Sequence, residues 1–171
     1  MKQQIIVSGL GGQGAVTLTR LLGEAALFLG LPVITSETHG MAQRGGAVIS
    51  MVKVGPYRGP LVPTGAADLG LFLHVSNLAV HRHYLKVGGA LVVNTAVPGD
   101  YLAVDALGRA TALGLPPVAA NLILLGFAVA QGLLFCGGEV LERLIRETSP
   151  ERWRPGNVQA FQAGLEARAV G

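Results

Sequence analysis

The chain has 171 residues, half of them hydrophobic and only 13% charged, with a formal net charge of +3. That length suits one domain with a substantial core, and so little charge leaves apolar surface that calls for a covering partner. Its basic residues are scattered with few aromatics among them, which argues against nucleic-acid binding. A lone cysteine, Cys136, excludes a disulfide framework, a four-thiolate zinc site or an iron–sulfur cluster built within the chain.

Residues 4–8 (Gln-Ile-Ile-Val-Ser) read as a buried strand that ends in glycines. Helical apolar spacing follows over residues 15–29, with Gly30 as a C′ residue and Pro32 just beyond it. Residues 32–36 predict a second strand, so the opening reads as a β-α-β unit with a right-handed crossover. Residues 47–54 alternate as a third strand, and residues 57–65, with three prolines, form a loop or irregular edge. A buried strand over 68–74 leads to a short helix over 77–86, closed by Gly88-Gly89. Strands over 90–95 and 101–105 follow, then helices over 107–113, 118–135, 139–147 and 157–170. The pattern predicts a single domain over residues 1–171: a three-layer, Rossmann-like α/β fold with a mostly parallel sheet and a Gly-x-Gly-x-x-Gly turn after its first strand.

Residues 118–135 approach the length of a membrane span. Asn121, Gly126, Gln131 and Gly132 interrupt them, and no basic flank lies close by, so a buried core helix is the better reading. Residues 1–4 and the short apolar run after them break into glycines too soon for a secretory leader. With its single cysteine the chain is expected in a reducing, cytoplasmic setting.

The turn Gly9-Leu10-Gly11-Gly12-Gln13-Gly14 matches the dinucleotide fingerprint and opens a helix. Gly9, Gly11, Gly12, Gln13 and Gly14 are therefore candidate cofactor-binding positions, where backbone N–H groups and a helix N-terminus meet an anion. Glu37 lies where a ribose-binding carboxylate would be expected, so an NAD(P) or flavin module is one reading. A glycine turn that merely packs against a neighbour is the other. A phosphate-binding loop of the lysine-containing type fails, because Ala15-Val16 stands where Lys-Ser/Thr is needed. The Gly-Asp-Gly start of a thiamine diphosphate motif fails too, since Gly99-Asp100 is followed by Tyr101.

His81 and His83 would point to different sides of a helix, and solvated histidines describe them better than metal ligands. His74 reads as a core or rim histidine, and Ser8, Ser36 and Ser50 sit in no nucleophile elbow. The second candidate segment is residues 36–46, Ser-Glu-Thr-His-Gly-Met-Ala-Gln-Arg-Gly-Gly. It could bind an anion through its glycine backbone and the Arg44 fork, or simply pair Arg44 with a carboxylate.

Taken together, the glycine turn and residues 36–48 closely resemble the gamma-type subunit of 2-oxoacid:ferredoxin oxidoreductases. The wording His-Gly-Met-Ala-Gln-Arg-Gly-Gly is most similar to the small subunit of the indolepyruvate enzymes. Residues 120–126 and 157–164 resemble the family's later helices, so the likeness covers nearly the whole chain. Residues 73–79 depart from it, reading Leu-His-Val-Ser-Asn-Leu-Ala where relatives carry an acidic run. The resemblance implies an accessory subunit beside a larger catalytic subunit that holds thiamine diphosphate, magnesium and the iron–sulfur clusters, with ferredoxin reached indirectly. It also implies that His39, Gly40, Gln43, Arg44, Gly45 and Gly46 contact that partner or coenzyme A at the interface, and that this chain supplies no catalytic residue and no metal ligand. Self-association of the isolated chain is compatible with that reading.

Overall fold

The structure is a computed structural model that describes residues 1–37 and 46–171. Its strands are β1 (Gln3–Leu10), β2 (Val33–Glu37), β3 (Ala47–Val54), β4 (Ala67–Phe72), β5 (Leu85–Asn94) and β6 (Leu102–Val104). The helices are α1 (Ala15–Phe28), α2 (Leu78–His81), α3 (Ala106–Ala112), α4 (Ala120–Ala130), α5 (Gly138–Thr148) and α6 (Arg154–Glu166). Six strands form one sheet in the order β2-β3-β1-β4-β5-β6. Strands β1, β4, β5 and β6 pair in parallel, whereas β3 pairs antiparallel with both β1 and β2. The sheet is therefore mixed rather than mostly parallel. β3 returns to take the edge of β1 that the expected β-α-β unit would have given to β2, so the crossover through α1 skips one strand.

The expected three layers reduce to one thick layer and a thin cover. Ile5, Val7, Val52, Leu69, Leu71, Val92 and Val104 face a large core shared with α1, α3, α4, α5 and α6. The alternate residues Ile6, Ile49, Met51, Phe72, Leu91 and Val93 face a smaller core closed by Val62, Leu78, Tyr84 and Tyr101. The second face has so little helix because the β4–β5 connection is short. It comprises 3₁₀ turns Val75–Asn77 and Arg82–Tyr84 around the four-residue α2. The expected helix over 77–86 shrinks to that, and Gly88-Gly89 lies inside β5 beside a bulge between Ala67 and Leu69.

Two other boundaries move for clear reasons. The apolar run 118–135 is helical only from Ala120 to Ala130, after a 3₁₀ turn at Pro117–Ala119. It stops where Gly132 takes φ 73° and Leu133 N–H donates to the Ala128 carbonyl at 3.2 Å, a glycine C-terminal cap. The last helix starts at Arg154, so Pro155-Gly156 opens it instead of preceding it. Proline is tolerated in a first helical turn, whose N–H groups have no intrahelical acceptor. Among the described residues no helix is long and apolar enough to cross a membrane.

α4 and α6 pack with their backbones nearly touching. A Cβ on Gly164 would strike the Ile123 carbonyl, and one on Gly126 would strike the Phe161 carbonyl. Two segments singled out in the sequence, 120–126 and 157–164, are thus the two halves of one helix crossing. Nearby Cys136 is buried, and that burial, with Glu139 adding to it, pushes its thiol up to about 12. Thiolate is then rarer by roughly three orders of magnitude than in a free cysteine. Native protein is expected to resist iodoacetamide at pH 8 under conditions that alkylate the urea-unfolded chain, with mass spectrometry reading the difference. Equal rates for the two would contradict the burial.

Candidate functional site at the carboxyl edge of the sheet

β1 ends at Leu10, and the chain turns through Gly11 to Gly14 into α1. Gly9 has room only for hydrogen, since a Cβ there would sit 2.9 Å from Leu73 Cβ, which brings the end of β4 against β1. Gly12 (φ 92°) has open space where a side chain would be, and Gly14 (φ 86°) occupies the N-cap of α1. Both need the left-handed backbone that glycine adopts without strain. Gln13 fastens the turn: its Oε1 accepts the Leu10 N–H at 2.7 Å, and its Nε2 donates to the Leu73 carbonyl at 3.3 Å. From the other side Asn121 Nδ2 donates to the Gly14 carbonyl at 3.2 Å. Among the described residues no side chain caps α1 and no acidic residue lies in its first turn, so its leading N–H groups present positive potential.

Cavities flank this turn. One of about 330 Å³ is bordered by Gly11, Gly12, Val16, Glu37, Val48 and Ser50. Another of about 150 Å³ is bordered by Gly12, Gln13, Leu73, Asn94, Leu107 and Asn121. Gly46 stands beside the turn, its carbonyl accepting the Gly11 N–H at 2.9 Å. His39, Gly40, Gln43, Arg44 and Gly45 lie outside the described residues. Glu37, which precedes them in sequence, borders the larger of these two cavities, and Gly46, which follows them, stands at the glycine turn.

A polar cluster that sequence patterning missed holds the second face against the same turn. Ser8 and Asn77 are buried, at 0% and 1% exposure. Asn77 Nδ2 donates to the Gly9 carbonyl at 2.7 Å and to Ser8 Oγ at 2.9 Å, and Ser8 Oγ lies 2.6 Å from His81 Nδ1. Asn77 donates to the Ser8 hydroxyl, which is thereby held against His81 Nδ1. His81 is therefore half-buried and bonded rather than solvated, while His83 is exposed as expected. His74 sits at the rim, its Nδ1 accepting the Ser76 N–H at 3.1 Å. Asn77, within the run 73–79, is the residue that ties this connection to the glycine turn. The signal was weak, because short 3₁₀ turns have no periodicity that marks an inward asparagine.

Burial, and secondarily the neighbouring His83, hold the His81 pKa below the usual 6.5. The neutral ring is the one that folding favours, so its contribution is complete above about pH 6.5 and is lost as pH falls through the lower folded value. Stepping from pH 7.5 to pH 5 is expected to cost the wild type more stability than it costs His81→Gln, in urea titrations. An equal loss in both would show that His81 does not titrate against the fold.

Residues 4–167 match the family described as pyruvate ferredoxin/flavodoxin oxidoreductase. The indolepyruvate oxidoreductase subunit IorB of Archaeoglobus fulgidus is 32% identical, over 100% of this chain and 98% of that one. The crystal structure of a keto/oxoacid ferredoxin oxidoreductase gamma subunit from Geobacter sulfurreducens superposes with a TM-score of 0.77. It is 29% identical and covers 96% of both chains. A more distant likeness, at 18% identity and TM-score 0.76, is to 2-oxoglutarate:ferredoxin oxidoreductase from Magnetococcus marinus. That structure holds 2-oxoglutarate, coenzyme A and succinyl-CoA, and the match covers 96% of this chain and 30% of that one. The chain belongs to the pyruvate ferredoxin/flavodoxin oxidoreductase family.

Proposed function

We propose that this chain is the accessory, gamma-type subunit of a cytoplasmic 2-oxoacid:ferredoxin oxidoreductase of the indolepyruvate type. Such an assembly oxidatively decarboxylates an aryl 2-oxoacid to its acyl-CoA and passes the electrons to ferredoxin. The observation that carries the reading is likeness along the whole chain to a subunit of that name. Thiamine diphosphate, magnesium and the iron–sulfur clusters belong to the larger subunit. Bound there, thiamine diphosphate would supply an electron sink for the decarboxylation and the clusters a path for electron transfer.

This chain's own part is to close the coenzyme A side of the site. The start of α1, which no described side chain caps, and the open space at Gly12 favour an anion at the turn. Gly46 stands at that turn, and Arg44 precedes it by two residues in sequence, which suits a guanidinium that holds a phosphate of coenzyme A or a carboxylate of the partner. In the assembled complex Arg44→Ala is expected to weaken coenzyme A binding by about tenfold to a hundredfold, the loss of one charge-assisted contact worth roughly 1.5–3 kcal/mol. Unchanged coenzyme A affinity together with unchanged assembly would remove the role given to Arg44.

A second reading, a free-standing NAD(P)- or flavin-binding domain, is favoured by Glu37 bordering the same cavity as the glycine turn. It is weakened by β3, which separates β2 from β1. Saturable binding of NADH or a flavin by the isolated chain would support it, and flat titrations would dismiss it.

A further inference from the structure

A third cavity opens on the far side of Asn121. It measures about 470 Å³ and lies between the turn leading into α4 and the turn leading into α6. One wall is Leu115, Pro116, Val118 and Leu122, and the other includes Trp153 and Gly156. Gly156 keeps the groove open, because a Cβ there would come within 3.3 Å of Leu115 Cδ2. The lip is unusually apolar for exposed surface, with Val118 46% and Trp153 47% accessible. Volume and lining both fall in the range of small-molecule sites, which join apolar walls to a few convergent polar groups.

Charge selects among small molecules. Among the described residues Arg152 is the one charged side chain lining the groove, beside the uncharged Thr17, Asn121 and Asn157. Its guanidinium lies over the Trp153 ring, 4.7 Å from the centroid. Stacking uses the face of the guanidinium and leaves the in-plane N–H donors free, in the fork geometry that fits a carboxylate. The two amides are already engaged: Asn121 with the Gly14 carbonyl and the Leu122 N–H, and Asn157 with Ser149. An anion entering the groove therefore meets a pre-oriented cation, and the rest of the ligand meets aliphatic and aromatic surface.

We propose that the groove between Leu115–Leu122 and Arg152–Gly156 binds an aryl carboxylate, its ring against Pro116, Val118 and Leu122 and its carboxylate on Arg152. This site is separate from the glycine turn and does not depend on the accessory-subunit reading. If it fails, that reading stands.

Trp153 is the chain's single tryptophan, so its emission reports on the groove alone. The full-length chain is titrated with phenylacetate, with its neutral analogue phenylacetamide, and with acetate. The expected result is a saturable change with phenylacetate, half-saturation at least about tenfold weaker for phenylacetamide, and no response to acetate. Arg152→Gln should make phenylacetate and phenylacetamide equivalent, and Gly156→Leu should abolish both responses while the far-ultraviolet circular dichroism is unchanged. Should Gly156→Leu not fold, the Arg152→Gln comparison decides alone. The proposal is overturned by no saturable response, by equal responses to acid and amide in the wild type, or by a preference that survives Arg152→Gln. It is also overturned if phenylacetate fails to bind and adding the larger subunit buries Trp153, which would make the groove a docking seat for protein.

Discussion

Gly164→Leu is expected to cost about 3 kcal/mol of stability, the upper part of the range for overpacking a well-filled core. Residues 120–128 on α4 are buried throughout, with Ile123, Leu124, Leu125 and Phe127 fully so. An all-round apolar helix must be covered on every side, and α6 covers the side away from the sheet. It can do so only because Gly126 and Gly164 let the two backbones meet, each standing where a Cβ would strike the other helix's carbonyl. Glycine inside a helix costs about 1 kcal/mol relative to alanine, a cost that close approach offsets through contact along both helices. For a chain of this size the loss corresponds to a fall in melting temperature of about 6–12 °C. Gly59→Ala is the control, since Gly59 faces open space with no strained φ, and it should change stability by less than about 0.5 kcal/mol. A Gly164→Leu variant melting with the wild type would mean that the two helices are not packed this closely.

Asn77→Ala ranks second, at about 2 kcal/mol. The cost is not two hydrogen bonds as such, because water would replace them in the unfolded chain. What costs is leaving the Gly9 carbonyl and the Ser8 hydroxyl short of a donor where water has no access. Asn77→Asp should lose at least as much, since it sets an acceptor against the Gly9 carbonyl. Both variants also loosen the point where β1 enters the glycine turn. In the assembled complex they should therefore weaken coenzyme A binding without touching it, on the reading that places coenzyme A there. Chemical-denaturation midpoints give the stability, and an unaltered midpoint for Asn77→Ala would show that the buried donor is dispensable.

Strong local signals located much of the fold. β3 spans residues 47–54 as its alternation predicts, and Gly30 (φ 72°) ends α1 as the C′ residue. Periodicity carries no information about which strand pairs with which, so the antiparallel insertion of β3 between β2 and β1 was not visible. Nor was the placing of five helices on one face of the sheet. Boundaries failed where a single residue type has two uses: Pro155-Gly156 reads as a break but serves as a first turn. At the site, the glycine turn was legible because positive φ and a close approach demand glycine. Asn77 and His81 were not, because nothing in Ser-Asn-Leu-Ala-Val-His distinguishes an inward amide from a solvated one. The groove beside Trp153 was equally hidden, since its walls come from segments far apart in sequence, Leu115–Leu122 and Pro150–Asn157.

Anaerobic affinity purification of the tagged chain from its native extract, followed by intact mass and a visible spectrum of whatever accompanies it, tests the accessory-subunit claim most directly. The account predicts a larger subunit in fixed ratio, brown with iron–sulfur absorption and carrying thiamine diphosphate. A colourless chain recovered alone, able to bind NADH or a flavin saturably, would contradict it.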